Sequence, residues 1–443
     1  MTSTNPTVVS LFSGCGGLDL GFKQSGFELV YAADSDKASI DIYRRNLDEN
    51  AFVRDVTTEE FHSDIRAVRR CDVVLGGFPC QGFSKAGPKR HNDERNTLYQ
   101  EMRSAIKALE PEVFIAENVD GMKQNFSGKF VQSIIEDFSS LGYDVDVQIL
   151  NALAYGVPQH RRRIFFVGTR KAGSRHFPWP KATHHAPVRN GEFSIPQSGL
   201  FGGTEETVLL DTPTIRDAIG DLLELGKLPD HLIDHSWPKK YDHIIRKIGE
   251  GQKLCNVRHS PTSVYTWEIP EAFGEISERQ LKILECISRN RRLKKYGSIP
   301  NGNPLPIDEI SRLTQVEPSA DEIQDLLSKG YLKEKNGGFD LKGAMFCSGL
   351  FKRPLWDAPS PTILTNFHNP RYFLHPEENR PFSLRECARL QSFPDGFLFN
   401  SESSPRALIA GYRLVGNAVP PKLSFQFAQK VKAYLQETNA KAA

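Results

Sequence analysis

A cysteine and a glutamate stand where two apolar runs of this sequence end, and both carry groups that can do chemistry. Cys80 lies in Gly76-Gly77-Phe78-Pro79-Cys80-Gln81-Gly82-Phe83-Ser84, and Glu117 lies in Ala116-Glu117-Asn118-Val119. Cys80 follows a predicted strand, in a loop where a turn can expose the thiol and nearby cations can stabilise the thiolate. Such a thiolate is a nucleophile, and a protonated carboxyl group beside it can donate its proton to a ring nitrogen of the molecule under attack. The pair therefore predicts covalent catalysis at the carboxyl ends of two neighbouring strands.

A glycine-rich turn upstream of this pair predicts a bound cofactor. A buried strand leads into Gly14-Cys15-Gly16-Gly17 and then into a helix, and the next strand ends at Asp34, twenty residues after Gly14. The glycines let a ligand approach the backbone, although G-x-G-G is not the full dinucleotide fingerprint and tight turns also occur without a ligand. A carboxylate at the position of Asp34 can accept hydrogen bonds from both ribose hydroxyls. Asp55 could then bind an adenine amino group while Val56 packs on the ring.

Three consecutive arginines precede another apolar run. Arg161, Arg162 and Arg163 follow Gln159-His160 and lead into the predicted strand from Ile164 to Val167. Side chains alternate along a strand, so Arg161 and Arg163 share one face, where their guanidinium groups can hold a phosphate and a base carbonyl. Without the other motifs, the same residues would indicate only a basic strand edge.

Strands that alternate with helices position these residues in the chain. Their alternation through the first part of the sequence is typical of an α/β protein with a Rossmann-like, doubly wound, mostly parallel sheet. From about Lys171 the pattern changes to prolines, histidines and glycines, which indicates a second, smaller domain. We therefore predict a cofactor-binding domain whose first part is 1–185, a smaller domain at 186–378, and a C-terminal segment at 379–443 that returns to the first domain.

Residues 276–341 differ from the rest of this smaller domain. Ser277 and Gln280 form a capping box at the head of a helix, Ser319 and Glu322 cap another, and Asn336-Gly337 is a hairpin signal. With a short helix between them, these elements make three helices and a hairpin, which resembles a winged helix. The same elements could form a spacer, so the pattern leaves open whether the segment contacts a nucleic acid.

Composition excludes a membrane protein and favours a reducing compartment. The chain has 443 residues, 39% of them hydrophobic and 25% charged, and no apolar run approaches the ~20 residues that span a bilayer. No leader pattern is present, and the seven cysteines lack C-x-x-C pairs. These features lead us to expect a cytoplasmic protein. We also expect no metal site, because His184-His185 and His235 lack the spacing of metal ligands. Basic residues between 239 and 295 would favour a polyanion, although a solvated surface would look the same.

Taken together, these motifs resemble those of the DNA (cytosine-5)-methyltransferase family, in its usual, unpermuted order. The resemblance covers roughly residues 8–170 and 355–425, and the Pro-Cys-Gln-Gly-Phe-Ser and Glu-Asn-Val blocks are its most specific parts. The matching segments are Phe12 to Gly17, Asp34, Asp55, Gly77 to Ser84, Arg95 to Leu98, Glu117 to Val119, Gln159 to Arg163, Arg385 to Pro394 and Gly416 to Pro420.

The resemblance implies S-adenosylmethionine as methyl donor, S-adenosylhomocysteine as product and duplex DNA as substrate. It implies that Cys80 attacks C6 of a flipped cytosine while Glu117 assists at N3, and that Arg161 and Arg163 hold the base. The residues implied to bind the cofactor are Phe12, Ser13, Gly14, Gly16, Gly17, Asp34, Asp55, Val56, Pro79, Leu98, Asn417, Ala418 and Val419. The residues implied to contact DNA are Gln81, Ser84 and Thr362.

Two features depart from the family's pattern. Ser35 follows Asp34 where many members have a larger apolar residue, so adenine stacking at this position is not implied. The segment between the arginines and Arg385 corresponds to the family's target-recognition domain, which makes 186–378 that domain here. The segment is long, and its sequence does not indicate which DNA bases the protein recognises.

These expectations describe a monomeric enzyme that methylates cytosine in a specific DNA sequence, alone or paired with a restriction endonuclease. A tRNA cytosine methyltransferase would use the same chemistry at Cys80 and Glu117, but a long duplex-reading region is of little use on a folded RNA. A DNA-binding regulator with an inactive body need not keep Cys80, Glu117 and Arg163. A nicotinamide-dependent oxidoreductase would leave Cys80 and the arginines unexplained.

Overall fold

The computed structural model describes most of the chain, in two compact units. The described residues are 5–79, 98–124, 129–170, 176–186, 208–223, 228–233, 235–257, 259–299, 302–342, 349–399 and 404–442. Cys80, Gln81 and Ser84 lie outside them. Unit 1 comprises Met1–Leu232, Asp357–Thr365 and Leu384–Ala443, and unit 2 comprises Ile233–Trp356 and Asn366–Ser383. The roles assigned to 1–185, 186–378 and 379–443 stay a prediction.

A seven-stranded sheet organises unit 1. The strands of the described residues are β1 (Thr7–Leu11), β2 (Glu28–Asp34), β3 (Ala51–Val53), β4 (Val73–Gly76), β5 (Val113–Val119), β6 (Tyr143–Asn151), β7 (Arg162–Arg170), β8 (Lys253–Leu254), β9 (Ser263–Val264), β10 (Leu332–Lys335) and β11 (Gly338–Leu341). The first seven pair in the order β3-β2-β1-β4-β5-β7-β6. Only the pairs that include β7 are antiparallel among these. The predicted α/β fold with a mostly parallel sheet is therefore confirmed.

Helices follow most strands, as the alternating pattern predicted. The α-helices of the described residues are α1 (Gly17–Gln24), α2 (Lys37–Asn46), α3 (Glu59–Ala67), α4 (Tyr99–Leu109), α5 (Gly121–Gln124), α6 (Lys129–Ser139), α7 (Ile215–Ile219), α8 (Lys240–Lys247), α9 (Pro270–Phe273), α10 (Glu278–Asn290), α11 (Ile307–Thr314), α12 (Ala320–Ser328), α13 (Leu384–Leu390), α14 (Pro405–Asn417) and α15 (Pro421–Ala442). Short 3-10 helices span Ala152–Tyr155, Gly220–Leu223, Thr266–Glu268 and Lys294–Tyr296. Among the described residues, no helix is both long and apolar enough to cross a membrane.

The central strands are buried because helices cover both faces of the sheet. Every residue of β1 and of β4 is buried, as parallel strands between two helical layers require. On one face, Val9, Phe114 and Met102 belong to a single hydrophobic core. On the other, α1 packs so closely on α15 that a Cβ at Gly21 would lie 2.3 Å from the backbone nitrogen of Phe425. Only glycine permits this approach.

Unit 2 contains the elements predicted for residues 276–341. Ser277 and Gln280 form the predicted capping box at the start of α10, since each side chain bonds the backbone of the other residue. Asn336 and Gly337 both have positive φ, 52° and 72°, as the two-residue turn between β10 and β11 requires. The helices α10, α11 and α12 and this hairpin share one hydrophobic core.

Candidate active site

The glycine-rich turn lies at the carboxyl ends of β1 and β2, where it meets Asp34. The backbone N–H of Gly14 donates to Oδ2 of Asp34 over 2.9 Å, and the N–H of Asp36 donates to Oδ1 over 2.8 Å. Burial raises the pKa of Asp34, although these two N–H groups act in the opposite direction. The structure thus joins two of the predicted cofactor residues, because the carboxylate holds the turn in place.

The turn has the form of an open cradle. Phe12 and Gly14 both have positive φ, 53° and 55°, so the backbone leaves β1 in a left-handed bend. A Cβ built on Gly14 would meet no described atom within 4 Å. The hydroxyl oxygen of Ser13 is buried and has no hydrogen-bond partner among the described residues. Open space beside a buried, unpartnered polar atom is what a bound ligand would fill.

The segment from Asn417 to Val419 reaches the same turn from the other end of the chain. A Cβ on Gly17 would lie 2.4 Å from the backbone oxygen of Val419 and 3.0 Å from Cβ of Ala418. The two segments are therefore in contact, although about 400 residues separate them in sequence. Sequence reasoning placed both in the cofactor site, and the structure brings them together.

Asp55 and Val56 follow β3, next to β2. Asp55 is exposed, and its Oδ1 accepts bonds from the backbone N–H and the hydroxyl of Thr57, at 3.0 and 2.8 Å. These bonds lower the pKa of Asp55. Val56 is buried in the hydrophobic core under the sheet. Asp55 thus shapes a turn in this structure, and the contacts of both residues with adenine stay predictions.

Glu117 and Arg163 form a buried ion pair at the end of β5. Nε of Arg163 lies 2.9 Å from Oε1 of Glu117, and the two side chains are 15% and 11% exposed. The pair forms because β5 and β7 are antiparallel, with Arg163 opposite Val119 on the face that Glu117 shares. Burial raises the pKa of Glu117, and the charges of Arg163 and Arg161 oppose that rise. The carboxyl group can therefore hold a proton more readily than one in water.

The loop that leads to Cys80 is held beside this carboxyl group. A Cβ on Gly77 would lie 3.6 Å from Oε2 of Glu117 and 3.8 Å from the backbone oxygen of Phe12. Nδ2 of Asn118 donates to the backbone oxygen of Phe78 over 2.8 Å. The described end of this loop thus converges with the glycine turn and with Glu117. Sequence reasoning gave Asn118 no role, although it stands in the Glu-Asn-Val block.

Arg161 is used differently from Arg163. Its side chain is 1% exposed and donates to the backbone oxygens of Ile363, at 3.2 Å, and Gly416, at 3.0 Å. Its Nε is buried without a hydrogen-bond partner among the described residues. In this structure Arg161 therefore joins two distant backbone segments, and contact with a base stays a prediction. Alternation along the strand predicted a shared face but not this difference.

Gln159 and Gln391 extend this connection, and sequence reasoning gave neither a role. The two side chains bond each other, and Oε1 of Gln159 accepts from the backbone N–H of Ile363 over 2.8 Å. Nε2 of Gln391 donates to the backbone oxygens of Val415 and Ala418, at 2.9 and 2.8 Å. The available signal was their place in the arginine block and in the segment from Arg385 to Pro394. These two glutamines position the end of α14 next to the arginines.

The other predicted residues lie around this centre. The hydroxyl of Thr362 donates to the backbone oxygen of His160 over 2.5 Å, which ties its segment to the arginine block. Leu98 packs against the hydrophobic core at the start of α4, and Pro79 is the last described residue before Cys80. Within the described part of the chain, no group of three or more potential metal ligands occurs.

Comparisons with known proteins show the family to which this chain belongs. Residues 6–433 match the sequence model of the C-5 cytosine-specific DNA methylase family. Type II methyltransferase M.AgeI of Thalassovita gelatinovora is 30% identical over 434 residues, which cover 96% of this chain and 98% of that protein. Type II methyltransferase M.HgiCI of Herpetosiphon aurantiacus is 30% identical over 423 residues, which cover 93% and 94%. One solved structure, described as a DNA modification methyltransferase encoded within a prophage of E. coli, superimposes with a TM-score of 0.53 and 22% identity. The superposition covers 98% of this chain and all of that chain, and it supports the fold.

Proposed function

Because this chain belongs to the C-5 cytosine-specific DNA methylase family, and is thereby a DNA (cytosine-5)-methyltransferase, we propose that it methylates C5 of a flipped cytosine through a covalent adduct with Cys80. One observation carries the proposal. The Glu117–Arg163 ion pair, the described end of the Cys80 loop and the glycine turn converge at the carboxyl ends of β1, β4 and β5. Ligands of open α/β sheets bind at this edge.

S-adenosylmethionine is the proposed methyl donor, and the described residues fit it. When bound, it supplies a methyl group on a positively charged sulfur atom. The backbone cradle of Ser13 and Gly14 would hold it, with Asp34 at the ribose hydroxyls. The unpartnered hydroxyl of Ser13 supports this assignment, because a polar ligand would give that atom a partner. Phe12, Gly16, Gly17, Asp55, Val56, Pro79, Leu98 and the Asn417–Val419 segment complete the proposed site.

The proposed chemistry uses the carboxyl group and the thiol on one ring. The cytosine leaves the duplex, because its ring atoms are not accessible within the stack. The thiolate of Cys80 bonds to C6 while Glu117 delivers a proton to N3, so that C5 becomes nucleophilic and takes the methyl group. A water molecule then accepts the C5 proton, the S–C6 bond breaks and releases the thiolate, and the proton on N3 returns to the Glu117 carboxylate. The raised pKa of Glu117 suits this role, because a protonated carboxyl group is needed at the start.

Arg163 and Arg161 support this step in different ways. Arg163 holds the Glu117 side chain in one orientation, and it is the arginine we assign to the base. Arg161 is proposed to act mainly through the two backbone segments that it joins. Gln81, Ser84 and Thr362 are the proposed DNA contacts.

The named relatives suggest the biological setting. M.AgeI and M.HgiCI are both Type II methyltransferases. The proposal is that this chain likewise modifies a specific duplex sequence as a monomer in the cytoplasm, next to a restriction endonuclease that recognises the same sequence.

Methylation of DNA by the purified protein tests the proposal. Incubation with labelled S-adenosylmethionine and duplexes of varied sequence should produce 5-methylcytosine, and duplexes that contain 5-fluorocytosine should trap a covalent complex. Cys80→Ala should abolish both products while it leaves cofactor binding intact. The proposal fails if wild-type protein labels no duplex, or if Cys80→Ala still forms the covalent complex.

A further inference from the structure

The segment from α10 to β11 has the chain order of a winged helix. Between α10 and α11, Leu305 pairs with Phe339 of β11 through two backbone bonds of 2.9 and 2.8 Å, which adds a short third strand to the hairpin. The order is therefore helix, strand, helix, helix and hairpin. The elements enclose their own hydrophobic core, which includes Ile283, Ile287 and Leu326.

The third helix of this segment, α12, has an acidic exposed face. In helix-turn-helix proteins the corresponding helix enters the major groove of DNA. Here Asp321 and Gln324 are exposed, Asp325 is partly exposed, and Glu317 precedes the helix on the surface. Glu322 pairs with Arg279 over 2.8 Å and Asp325 with Lys329 over 2.7 Å, so each of these two cations has an acidic partner, while Asp321 and Glu317 add negative charge. Phosphate groups on both sides of the groove would repel this face.

The opposite end of the segment is basic. Arg289, Arg292 and Lys294 are exposed at the end of α10 and in the turn after it, and Lys333 and Lys335 are exposed on β10. We refer to these five residues as the basic end. Among the described residues, neither Lys294 nor Lys335 has an ion-pair partner.

A buried ion pair holds the two parts of the basic end together. Arg291 binds Asp340 of β11 through two bonds of 2.7 and 2.9 Å, and both side chains are 4% exposed. Lys333 lies opposite Asp340 in the hairpin and approaches the same carboxylate to 3.5 Å. The hairpin is thereby fixed against the end of α10. The positive charges at the end of α10 and those on β10 are therefore held on one rigid surface.

An aromatic stack borders the same surface. The ring of Tyr265 lies parallel to that of Trp267, with centroids 4.6 Å apart. Nδ1 of the exposed His259 lies 2.8 Å from the Tyr265 hydroxyl. Nη1 of Arg291 donates to the backbone oxygen of Val257 over 3.0 Å, which places the segment that carries these rings beside the end of α10. Trp267 is 7% exposed and belongs to the hydrophobic core of the segment, so these rings give the basic end a rigid border.

We propose that the basic end binds phosphate groups of duplex DNA, and that α12 stays outside the groove. This inference rests on the proposed function, because DNA is the substrate there. The winged-helix segment would then add affinity that does not depend on base sequence. Sequence reading would belong to other parts of the chain, since phosphate contacts carry no sequence information directly.

The salt dependence of DNA binding by the full chain tests this inference. The slope of log K against log salt is negative, and each lost phosphate contact reduces its magnitude by roughly 0.9, measured between about 50 and 200 mM salt. Lys294→Ala and Lys335→Ala should each reduce the slope by about that amount, and the double variant by about twice as much. Lys282→Ala is the matched control, because Lys282 is also exposed on α10 but lies roughly 10 Å along the helix from Arg289. It should leave the slope unchanged.

A second variant tests α12 directly. Gln324→Ala should leave affinity and the methylated sequence unchanged if α12 stays outside the groove, and a changed preference for bases would overturn that part. Thermal unfolding of each variant identifies loss of fold. Wild-type slopes in Lys294→Ala and Lys335→Ala, with DNA still methylated, would overturn the inference and leave the proposed function intact. Absence of methylation by the wild-type protein would instead defeat the proposed function.

Discussion

Substitution of Asn118 tests whether the Cys80 loop is held in place from β5. Nδ2 of Asn118 donates to the backbone oxygen of Phe78 over 2.8 Å, and both residues are buried, at 4% and 3% exposure. Asn118→Ala would leave that oxygen buried without this donor, two residues before Cys80. An unsatisfied buried acceptor costs about 1–3 kcal/mol. If this cost raises the activation free energy of methyl transfer in full, because the Cys80 thiol is less well positioned, methyl transfer slows by roughly 5- to 150-fold.

Single-turnover methylation with saturating donor and DNA is the suitable assay, because it separates chemistry from product release. Donor affinity should stay close to that of the wild type, since the side chain of Asn118 bonds Phe78 and Val119 and no hydrogen bond joins it to the glycine turn among the described residues. Asn46→Ala is a matched control, because Asn46 also bonds backbone groups, the N–H and oxygen of Leu398, at 2.7 and 2.9 Å. The reasoning is refuted if Asn118→Ala methylates at the wild-type rate, or if Asn46→Ala slows methyl transfer equally.

The remaining predictions concern one ionisable group in the site, one outside it and one packing contact. Glu117→Gln should slow adduct formation on 5-fluorocytosine DNA. In the wild type, the rate of adduct formation should fall as pH rises through the raised pKa of Glu117, because the carboxyl group loses its proton; the variant should lose this pH dependence. Burial raises the pKa of Asp19 from 3.8 to about 6. The protonated side chain therefore stabilises the folded state fully below pH 3.8, and this stabilisation is lost as pH rises through about 6. The loss amounts to about 3 kcal/mol in total. Asp19→Asn keeps an acceptor for the Tyr43 hydroxyl and should remove this contribution. The free energy of unfolding in urea should therefore fall less between about pH 5 and pH 8 for the variant than for the wild type, by roughly 1–2 kcal/mol, and an equal fall would contradict the role given to Asp19. Gly21→Val should unfold at much lower temperature than the wild type, because its Cβ would lie 2.3 Å from the Phe425 backbone; an unchanged melting temperature would show that α1 and α15 can separate freely.

Much of the candidate site could be predicted from sequence because its residues stand at the ends of strands. Glu117 ends an apolar run, Gly14 follows another and Asp34 ends a third, and parallel strands bring such ends to one edge. The contact between the glycine turn and Asp34 followed from that rule. Cys80 lies outside the described residues, whereas Glu117 and the glycine turn lie at the strand ends where the pattern placed them.

Other contacts could not be predicted because they depend on residues far apart in the chain. The alternating pattern assigned Arg161 and Arg163 to one strand face, but β7 begins only at Arg162. Arg161 is committed to the backbone of Ile363 and Gly416, and Arg163 to Glu117. The antiparallel insertion of β7 between β5 and β6 decides this, because it sets which side chain meets Glu117. Periodicity predicts that a strand exists but not which neighbours it has.

The sequence by itself determined the local features of this protein: the left-handed glycine turn, the Asn336-Gly337 hairpin, the Ser277 capping box and the alternation of strands with helices. Each depends on the conformational preferences of residues within a few positions of one another. The tertiary structure alone decided the buried roles of Arg161, Gln159 and Asn118. Their partners follow from the order of strands and from packing, and a buried polar group must take whatever donor or acceptor that packing brings to it.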